Sequence, residues 1–269
     1  MALNRNSFDP ENILARIEHV QRLAQTSSSD PTADPILETL LMGRMELQGL
    51  MPWSSNYTYL VDLSGGDQAT LLGIYKPGAG ERPLWDFPEQ SLSLREFASY
   101  LVSLTLGWPS IPATVLRHGP HGLGSVQLFV EAEYEAHYFN MRGMPAFVED
   151  FRRMALFDYI INNADRKGGH CLKGTDGRIW AIDHGLTFHV EPKLRTVIWE
   201  FCDEAVPDPL LKDLARLHQL LQEAEFCQTL ANLISPREIR ALARRTDLLV
   251  STGQFPKTRM GRNVPFPPI

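Results

Sequence analysis

The spacing of apolar residues divides the chain into two halves with different periodicity. From about residue 36 to residue 132, apolar and polar positions mostly alternate, which is typical of strands with one buried face. From residue 133 to residue 252, apolar residues recur every three or four positions, as in helices packed on a core. The pattern predicts an α+β fold with a β-rich N-terminal lobe and a mainly helical C-terminal lobe. A cleft between two such lobes is a common place for a ligand.

The N-terminal half contains five predicted strands and one predicted helix. A helix is predicted over 91–108, where Leu94, Phe97 and Leu101 share one face. Tight turns are predicted at "GGDQ" (65–68) and "GPHG" (119–122). The predicted strands are "LLMGRMELQGLMP" (40–52), "NYTYLVDL" (56–63), "ATLLGIYKP" (69–77), "IPATVLRHG" (111–119) and "GSVQLFVEAE" (124–133).

The C-terminal half is predicted to be helical, with one short strand. The strand is "RIWAIDHG" (178–185), preceded by a hairpin turn at "GTDG" (174–177), and helices are predicted over 144–163, 207–224 and 236–250. Outside the two lobes we expect an amphipathic helix and a polar linker within residues 1–35. The Pro-rich tail, 253–269, is expected to be extended.

Composition narrows the class of protein further. Apolar residues make up 43% and charged residues 22% of the chain, as in ordinary globular proteins. The net charge of −6 argues against a nucleic-acid partner that requires broad phosphate neutralisation. The three cysteines have no CxxC spacing, which favours free thiols in a reducing compartment. No apolar stretch reaches about 18 residues, so we expect a cytoplasmic protein with no integral membrane association.

Five polar residues in separate segments have a joint spacing that indicates phosphoryl transfer. Asp165 is followed five residues later by His170, and Asp183 lies at the end of the predicted strand "RIWAIDHG". Upstream, Lys76 ends a strand and Glu96 lies in the following helix. Phosphoryl transfer needs a lysine on the phosphates, an acid that positions it, a base near the acceptor hydroxyl, and metal ligands. Protein kinases present these groups in this order.

Each of these residues, taken singly, also has a purely structural explanation. Asp165 could belong to a solvated turn after a helix, and Asp183 to a simple β-turn. Lys76, just before Pro77, could be a surface lysine at a strand end. A metal hydrolase built from His170, Asp183 and His184 is a further alternative, although no HExxH pair supports it. The order of the groups, rather than any one residue, favours phosphoryl transfer.

Two motifs resemble a known family. "NNADRKGGHCL" (162–172), followed by "WAIDHGLTF" (180–188), resembles the catalytic and metal-binding loops of the phosphatidylinositol 3-/4-kinase-like group, particularly bacterial members similar to type II phosphatidylinositol 4-kinases. "REFASYLVSLTLGWPSIPAT" (95–114) is similar to their helix with the acidic partner. The resemblance spans residues 50–200 and implies a two-lobed protein-kinase-like fold that uses ATP and a divalent metal, Mg²⁺ or Mn²⁺.

The resemblance also implies a role for each candidate residue. Asp165 would orient the acceptor hydroxyl as catalytic base, and Arg166 would help to order its loop. Asp183 would hold the metal, while Lys76 would contact phosphate with Glu96 as its partner. Further donors to phosphate are expected at Ser54, Ser55 and Asn56. Main-chain groups that read adenine are expected at Phe129, Val130 and Glu131.

The chain departs from the family pattern in two respects. His170 stands where the family has an asparagine as the other metal ligand, and imidazole suits Mn²⁺ better than Mg²⁺. The cysteine cluster by which type II lipid kinases are anchored to membranes is absent from the sequence. We therefore expect the phosphate acceptor to be a hydroxyl of a protein or soluble small molecule rather than of a lipid. The alternatives are a catalytically weak pseudokinase that acts as a nucleotide-binding module, and AMP transfer on the same fold.

Overall fold

The structure is a computed structural model, and it describes residues 8–23, 35–52, 54–65, 70–133, 135–258 and 260–269. The predicted linker lies outside these residues except for its last position, and so does most of the predicted turn at 65–68. The boundaries proposed above for the two lobes, the N-terminal segment and the tail stay predictions.

The N-terminal half forms one antiparallel sheet, as its alternating pattern predicts. Its strands lie in the order β1-β2-β3-β5-β4, so that β3 is central. Lys76 is opposite Ser125 near the C-terminal end of the central strand β3. The strands are β1 (Arg44–Leu50), β2 (Tyr59–Ser64), β3 (Leu71–Pro77), β4 (Thr114–Gly119) and β5 (Gly122–Leu128).

The strand predicted over 40–52 is wrong at its beginning. Residues Pro35–Met42 form helix α2, and β1 begins only at Arg44. Pro35 occupies the first helical position, where its missing N–H costs nothing, and Glu38 lies in the first turn. Buried Leu37, Leu40 and Leu41 follow helical spacing, but a run this short also fits a buried strand.

Some helices pack against the sheet, and others form most of the C-terminal half. Helix α3 lies against β4 and β5 and also contacts α1 and α6. The remaining helices confirm the main predicted helical segments, with α4 and α7 as short additions that the periodicity did not predict. The helices are α1 (Pro10–Leu23), α2, α3 (Leu92–Leu106), α4 (Tyr138–Met141), α5 (Val148–Ile160), α6 (Asp208–Leu220), α7 (Ala224–Leu230) and α8 (Pro236–Thr252).

A short hairpin interrupts the helices, as predicted. Its strands are β6 (Cys171–Lys173) and β7 (Ile179–Ala181), which pair in antiparallel register. The hairpin separates the loop that contains Asp165 from the loop that contains Asp183. Because β6 and β7 pair in antiparallel register, the hairpin reverses the chain direction. Both loops therefore lie at the same end of the hairpin.

The molecule thus has a β-rich lobe with α3 followed by a mainly helical lobe, which confirms the predicted two-lobed fold class. Among the described helices, none combines the length and the apolar character needed to cross a membrane.

Candidate active site

Lys76 lies between two carboxylates that come from different parts of the chain. Its Nζ donates to Glu96 Oε1 at 2.5 Å and to Asp183 Oδ1 at 3.1 Å. Glu96 is buried, and its other oxygen accepts from the backbone N–H of His184 at 3.0 Å. Burial acts to lower the pKa of Lys76, but the two carboxylates outweigh it and hold that pKa above its ordinary value. The lysine is therefore a fixed positive charge at the edge of the cleft.

The position of Glu96 depends on how α3 begins. The backbone N–H groups of Leu92 and Ser93 donate to the carboxylate of Glu81 at 3.1 and 3.0 Å. These groups have no partner within the helix, so an acceptor here stabilises its first turn. Glu81 lies in the loop after β3, and it therefore links the strand of Lys76 to the helix of Glu96.

The loop of Asp165 is shaped by two asparagines that follow α5. Asn162 has φ of +54°, a conformation that asparagine tolerates better than most residues. Its side chain donates to the carbonyls of His189 and Glu191 and accepts from Lys193 N at 2.8 Å. Asn163 Oδ1 accepts from the backbone N–H of Asp165 at 3.0 Å. The Asn162 side chain thus holds the loop against the segment that follows Asp183, whereas the Asn163 side chain supports the loop itself.

Asp165 keeps part of its carboxylate exposed beside Lys167. Its side chain is 28% exposed, and Lys167 Nζ lies 3.4 Å from its Oδ2. Burial raises the pKa of the Asp165 carboxyl to about 6, against the lowering effect of Lys167. The group is therefore ionised at neutral pH but still close enough to its pKa to share a proton with a hydroxyl.

Arg166 lies beneath the loop rather than in the cleft. It is fully buried and forms hydrogen bonds of 2.9–3.1 Å with the carboxylate of Asp158. It also donates to the carbonyls of His170 and Ile182 at 3.2 and 2.8 Å. These contacts join the Asp165 loop to the residue before Asp183.

Asp183 and His170 can serve as two ligands of one metal. His170 Nε2 lies 3.3 Å from Asp183 Oδ2. Two donors that each lie about 2.1 Å from one ion at a right angle are about 3 Å apart, so the spacing fits. Burial opposes ionisation of Asp183, but Lys76 and His170 hold the pKa of its carboxyl well below the usual range. Burial lowers the pKa of His170 to about 4, so the ring is neutral at pH 7.

The hydrogen bonds of His170 also specify its tautomer. Its Nδ1 accepts from the backbone N–H of Lys167 at 3.4 Å, so Nε2 carries the proton and lies 3.3 Å from Asp183 Oδ2. Metal binding through Nε2 requires the other tautomer. Within the described part of the chain, no group of three or more His, Cys, Asp or Glu side chains is arranged to hold a metal by itself. A bound ion would therefore depend on phosphate and water oxygens as further ligands.

His184 is not positioned as a third ligand. Its ring is buried, and its Nε2 lies 2.7 Å from Nη2 of Arg166, which only donates. A guanidinium at that nitrogen excludes a cation there. The arrangement does not support a hydrolase site built from His170, Asp183 and His184.

The residues predicted to contact nucleotide lie in two segments, the loop between β1 and β2 and the stretch that follows β5. Ser54 and Ser55 are exposed in the loop between β1 and β2, whereas Asn56 Oδ1 accepts from Arg82 N at 2.8 Å. Phe129 donates its N–H to Leu72, and the carbonyl of Glu131 accepts from Thr175. Half-buried Val130 lies between them, where the chain passes from the sheet to the helical lobe.

One ion pair connects the loop after β3 with the segment after Asp183. Lys193 Nζ lies 2.7 Å from Asp86 Oδ2, and both side chains are mostly buried. The Lys193 ammonium is also 5.0 Å from the centre of the Trp85 ring. Residues 186–211, which follow Asp183, contain two cations, Lys193 and Arg195. The charge of Lys193 is already compensated by Asp86.

Three residues of the site were missed by sequence reasoning: Asp158, Asn162 and Asn163. Asp158 has a readable signal, because it is a charged residue within the apolar run "MALFDYII". The two asparagines are the last residues of the predicted helix, a position where asparagine is common. Their side-chain partners lie in later segments, which no local pattern specifies.

Sequence comparison finds related proteins. A sequence model described as phosphatidylinositol 3- and 4-kinase matches residues 117–251. Protein Rv2133c of Mycobacterium tuberculosis (strain ATCC 25618 / H37Rv) is 37% identical over 278 residues, which cover 91% of this chain and 98% of that protein. Phosphatidylinositol 4-kinase gamma 4 of Oryza sativa subsp. japonica is 27% identical over 132 residues, or 42% of this chain and 23% of that protein.

Among solved structures, the Helicobacter pylori proinflammatory kinase CtkA matches with a TM-score of 0.46 and 11% sequence identity. The match covers 80% of this chain and 94% of that one.

Proposed function

The chain belongs to the phosphatidylinositol 3- and 4-kinase family, and on that premise we propose that it transfers the γ-phosphate of ATP to a hydroxyl group. The observation that carries the proposal is the position of Lys76, which contacts Glu96 and Asp183 together. This arrangement puts a fixed cation beside a metal-binding carboxylate, as transfer between phosphate and alcohol requires.

In the proposed reaction, the acceptor hydroxyl attacks the γ-phosphorus in line with the leaving ADP oxygen. Asp165 accepts a hydrogen bond from that hydroxyl and takes its proton as the new P–O bond forms. Lys76 binds phosphate oxygens and compensates their charge. Asp183 and His170 would hold Mg²⁺ or Mn²⁺, and the ion would supply positive charge that compensates the charge of the phosphates. Ser54, Ser55 and Asn56 would border the phosphates, and Phe129, Val130 and Glu131 the adenine.

We further propose that the acceptor is a protein or a soluble small molecule. Lys193 is paired with Asp86 and covered by Trp85, so this cation is already committed within the fold. A polyanionic headgroup calls for several free cations near Asp165. The compensated charge of Lys193 therefore favours an acceptor with little negative charge.

A pseudokinase is the second candidate, and His170 favours it. Asp183 accepts from Lys76 at one oxygen, and His170 Nε2 lies 3.3 Å from the other, so both oxygens already have a protein group beside them. A metal must displace at least one of them. A chain that binds nucleotide without turnover would have the same contacts.

One labelling experiment tests these proposals. Purified protein is incubated with ATP labelled at the α- or γ-phosphate, with Mg²⁺ or Mn²⁺, alongside Asp183→Ala. Transfer of γ-label that disappears in Asp183→Ala supports the kinase, whereas transfer of α-label indicates AMP transfer. Thermal stabilisation by ATP without any transfer supports the pseudokinase. If ATP neither binds nor reacts, both proposals are wrong.

A further inference from the structure

Asp158 is a fully buried carboxylate that no part of the proposed reaction uses directly. It lies in α5, with 0% of its surface exposed, below the loop of Asp165. Arg166 Nε donates to both of its oxygens, at 3.1 and 3.0 Å, and Arg166 Nη2 donates to Oδ1 at 2.9 Å. Both members of this ion pair are buried.

The contacts of Asp158 lead to Asp165 through one side chain. Asn163 Nδ2 donates to Asp158 Oδ1 at 2.9 Å, and Asn163 Oδ1 accepts from the backbone N–H of Asp165 at 3.0 Å. An amide has only one favourable orientation between these two partners. The carboxylate thus specifies how Asn163 holds the backbone of Asp165.

A second set of contacts leads from Asp158 to both sides of Asp183. Arg166, held by Asp158, donates to the carbonyl of Ile182 at 2.8 Å and lies 2.7 Å from His184 Nε2. Ile182 and His184 are the two chain neighbours of Asp183, which itself has φ of +60°. Arg166 therefore contacts the residue before and the residue after Asp183, and these contacts hold its unusual backbone conformation.

Asp158 and Arg166 together also contact residues 195–197, in the segment that follows Asp183. Thr196 Oγ1 lies 3.4 Å from Asp158 Oδ2, and Arg166 exchanges backbone hydrogen bonds with residues 195 and 197. A buried ion pair adds little net stability compared with apolar packing, because both charges lose their hydration. Its value here is geometric, since one carboxylate orders three segments.

We propose that Asp158 is a positioning residue that sets the place of Asp165 relative to Asp183. The proposal deepens the kinase function proposed above and rests on it. Asp158 acts through Asn163 and Arg166 and does not touch nucleotide or acceptor.

The test is the variant Asp158→Asn, which keeps the shape of the side chain but removes its charge. We expect kcat for γ-phosphate transfer to fall about 10–100-fold, as for other outer residues that orient a site. The KM for ATP should change less than about twofold, because Lys76 and Glu96 are untouched. The proposal is overturned if kcat falls and the KM for ATP rises by equal factors, or if neither value changes.

A double-mutant cycle checks that Asp158 acts through Arg166. Arg166→Gln and the double variant Asp158→Asn/Arg166→Gln are measured together with the single variant. Since both members serve one contact, the double variant should be no more than about twofold slower than the slower single variant. If the two single losses in kcat multiply in the double variant, Asp158 does not act through Arg166.

Hydrogen exchange measures the order of the loops independently of catalytic activity. In Asp158→Asn, protection should fall at the amides of Ala164, Arg166 and Val197, which bond between these segments, and not in the sheet. The matched control is Asp213→Asn, because Asp213 binds Trp108 Nε1 at 2.8 Å and has no part in the site. Its loop protection and kcat should equal those of wild type.

The outcomes separate the two proposals. If wild type transfers no γ-label, the kinase function fails, and exchange still decides whether Asp158 orders the loops. If kcat falls while loop protection is unchanged, or if protection falls throughout the chain, the positioning role is wrong.

Discussion

The Nζ atom of Lys76 lies 3.1 Å from Oδ1 of Asp183, although 107 positions separate the two residues in the chain. Lys76 ends a central strand of the sheet, and Asp183 follows the short hairpin in the helical half. Glu96 completes the contact from α3. The pair therefore connects the two lobes at the edge where the candidate active site lies.

Removing the lysine should affect both catalysis and stability. Lys76→Met should lower kcat at least about 100-fold, since a fixed cation at the phosphates is lost. It should also lower the free energy of unfolding by about 1–3 kcal/mol, because buried Glu96 loses a partner. Labelled phosphate transfer and urea unfolding measure the two effects. Lys173→Met, which breaks a more exposed pair with Glu133, is the control and should leave kcat unchanged.

Asp165 should make activity and stability respond to pH in opposite directions. Its pKa in the fold is about 6, against an ordinary value of 3.8, so kcat should fall as pH drops through about 6. The raised pKa means that the stability from the protonated carboxyl is fully present below about pH 4 and is lost as pH rises through about 6.

The stability part of this prediction is measured on Asp165→Asn, which cannot ionise. Its melting temperature relative to wild type should rise between pH 4 and pH 7, although its activity is lost. A relative melting temperature that stays constant or falls over this range would contradict the raised pKa. Asp176→Asn, at an exposed aspartate, controls for general pH effects.

The ion pair of Asp86 and Lys193 should stabilise the folded state. Asp86→Asn or Lys193→Met should each lower the free energy of unfolding by about 1–3 kcal/mol, because the remaining partner stays buried. Asp176 and Arg178 form an exposed pair, and Asp176→Asn should cost less than about 1 kcal/mol. Equal costs in urea unfolding would show that the buried pair has no special role.

The two glycines of the Asp165 loop should differ sharply in their tolerance of a methyl group. A Cβ at Gly168 would lie 2.7 Å from two ring atoms of Phe139, whereas a Cβ at Gly169 meets nothing within 4 Å. Gly168→Ala should therefore destabilise the fold by about 1–3 kcal/mol and reduce kcat, while Gly169→Ala should stay near wild type.

A second variant tests the steric cause. Phe139→Leu removes the ring atoms that the new methyl would meet, so it should restore part of the stability lost in Gly168→Ala. Additive losses in the double variant, measured by thermal unfolding, would exclude a clash with Phe139 as the cause.

His170 should decide the metal preference. His170→Asn replaces an imidazole by the oxygen ligand that Mg²⁺ prefers. The ratio of the Mg²⁺-supported rate to the Mn²⁺-supported rate should therefore rise at least about threefold over wild type, a change of about 0.7 kcal/mol. Initial rates at saturating metal measure it. An unchanged ratio would mean that His170 does not contact the ion, and chelation of all divalent metal should stop both reactions.

Several elements of the fold could be read from local pattern alone. Alternating residues predicted β2 to β5, and helical spacing predicted α3, α5, α6 and α8, because burial on one face follows the period of the backbone. The short α2 was missed, since eight apolar-rich residues satisfy either period. The order of candidate residues also led to the family that the comparisons show.

The sequence by itself determined the periodicity, the hairpin, and the order of Lys76, Glu96, Asp165, His170 and Asp183, because all of these are properties of neighbouring residues or of spacing along the chain. Only the tertiary structure decided that Asp158 lies under the loop, that His170 lies beside Asp183, and that Asp86 neutralises Lys193. Charged side chains find their partners according to where packing places them. That placement depends on the burial of the whole core, which no short stretch of sequence contains.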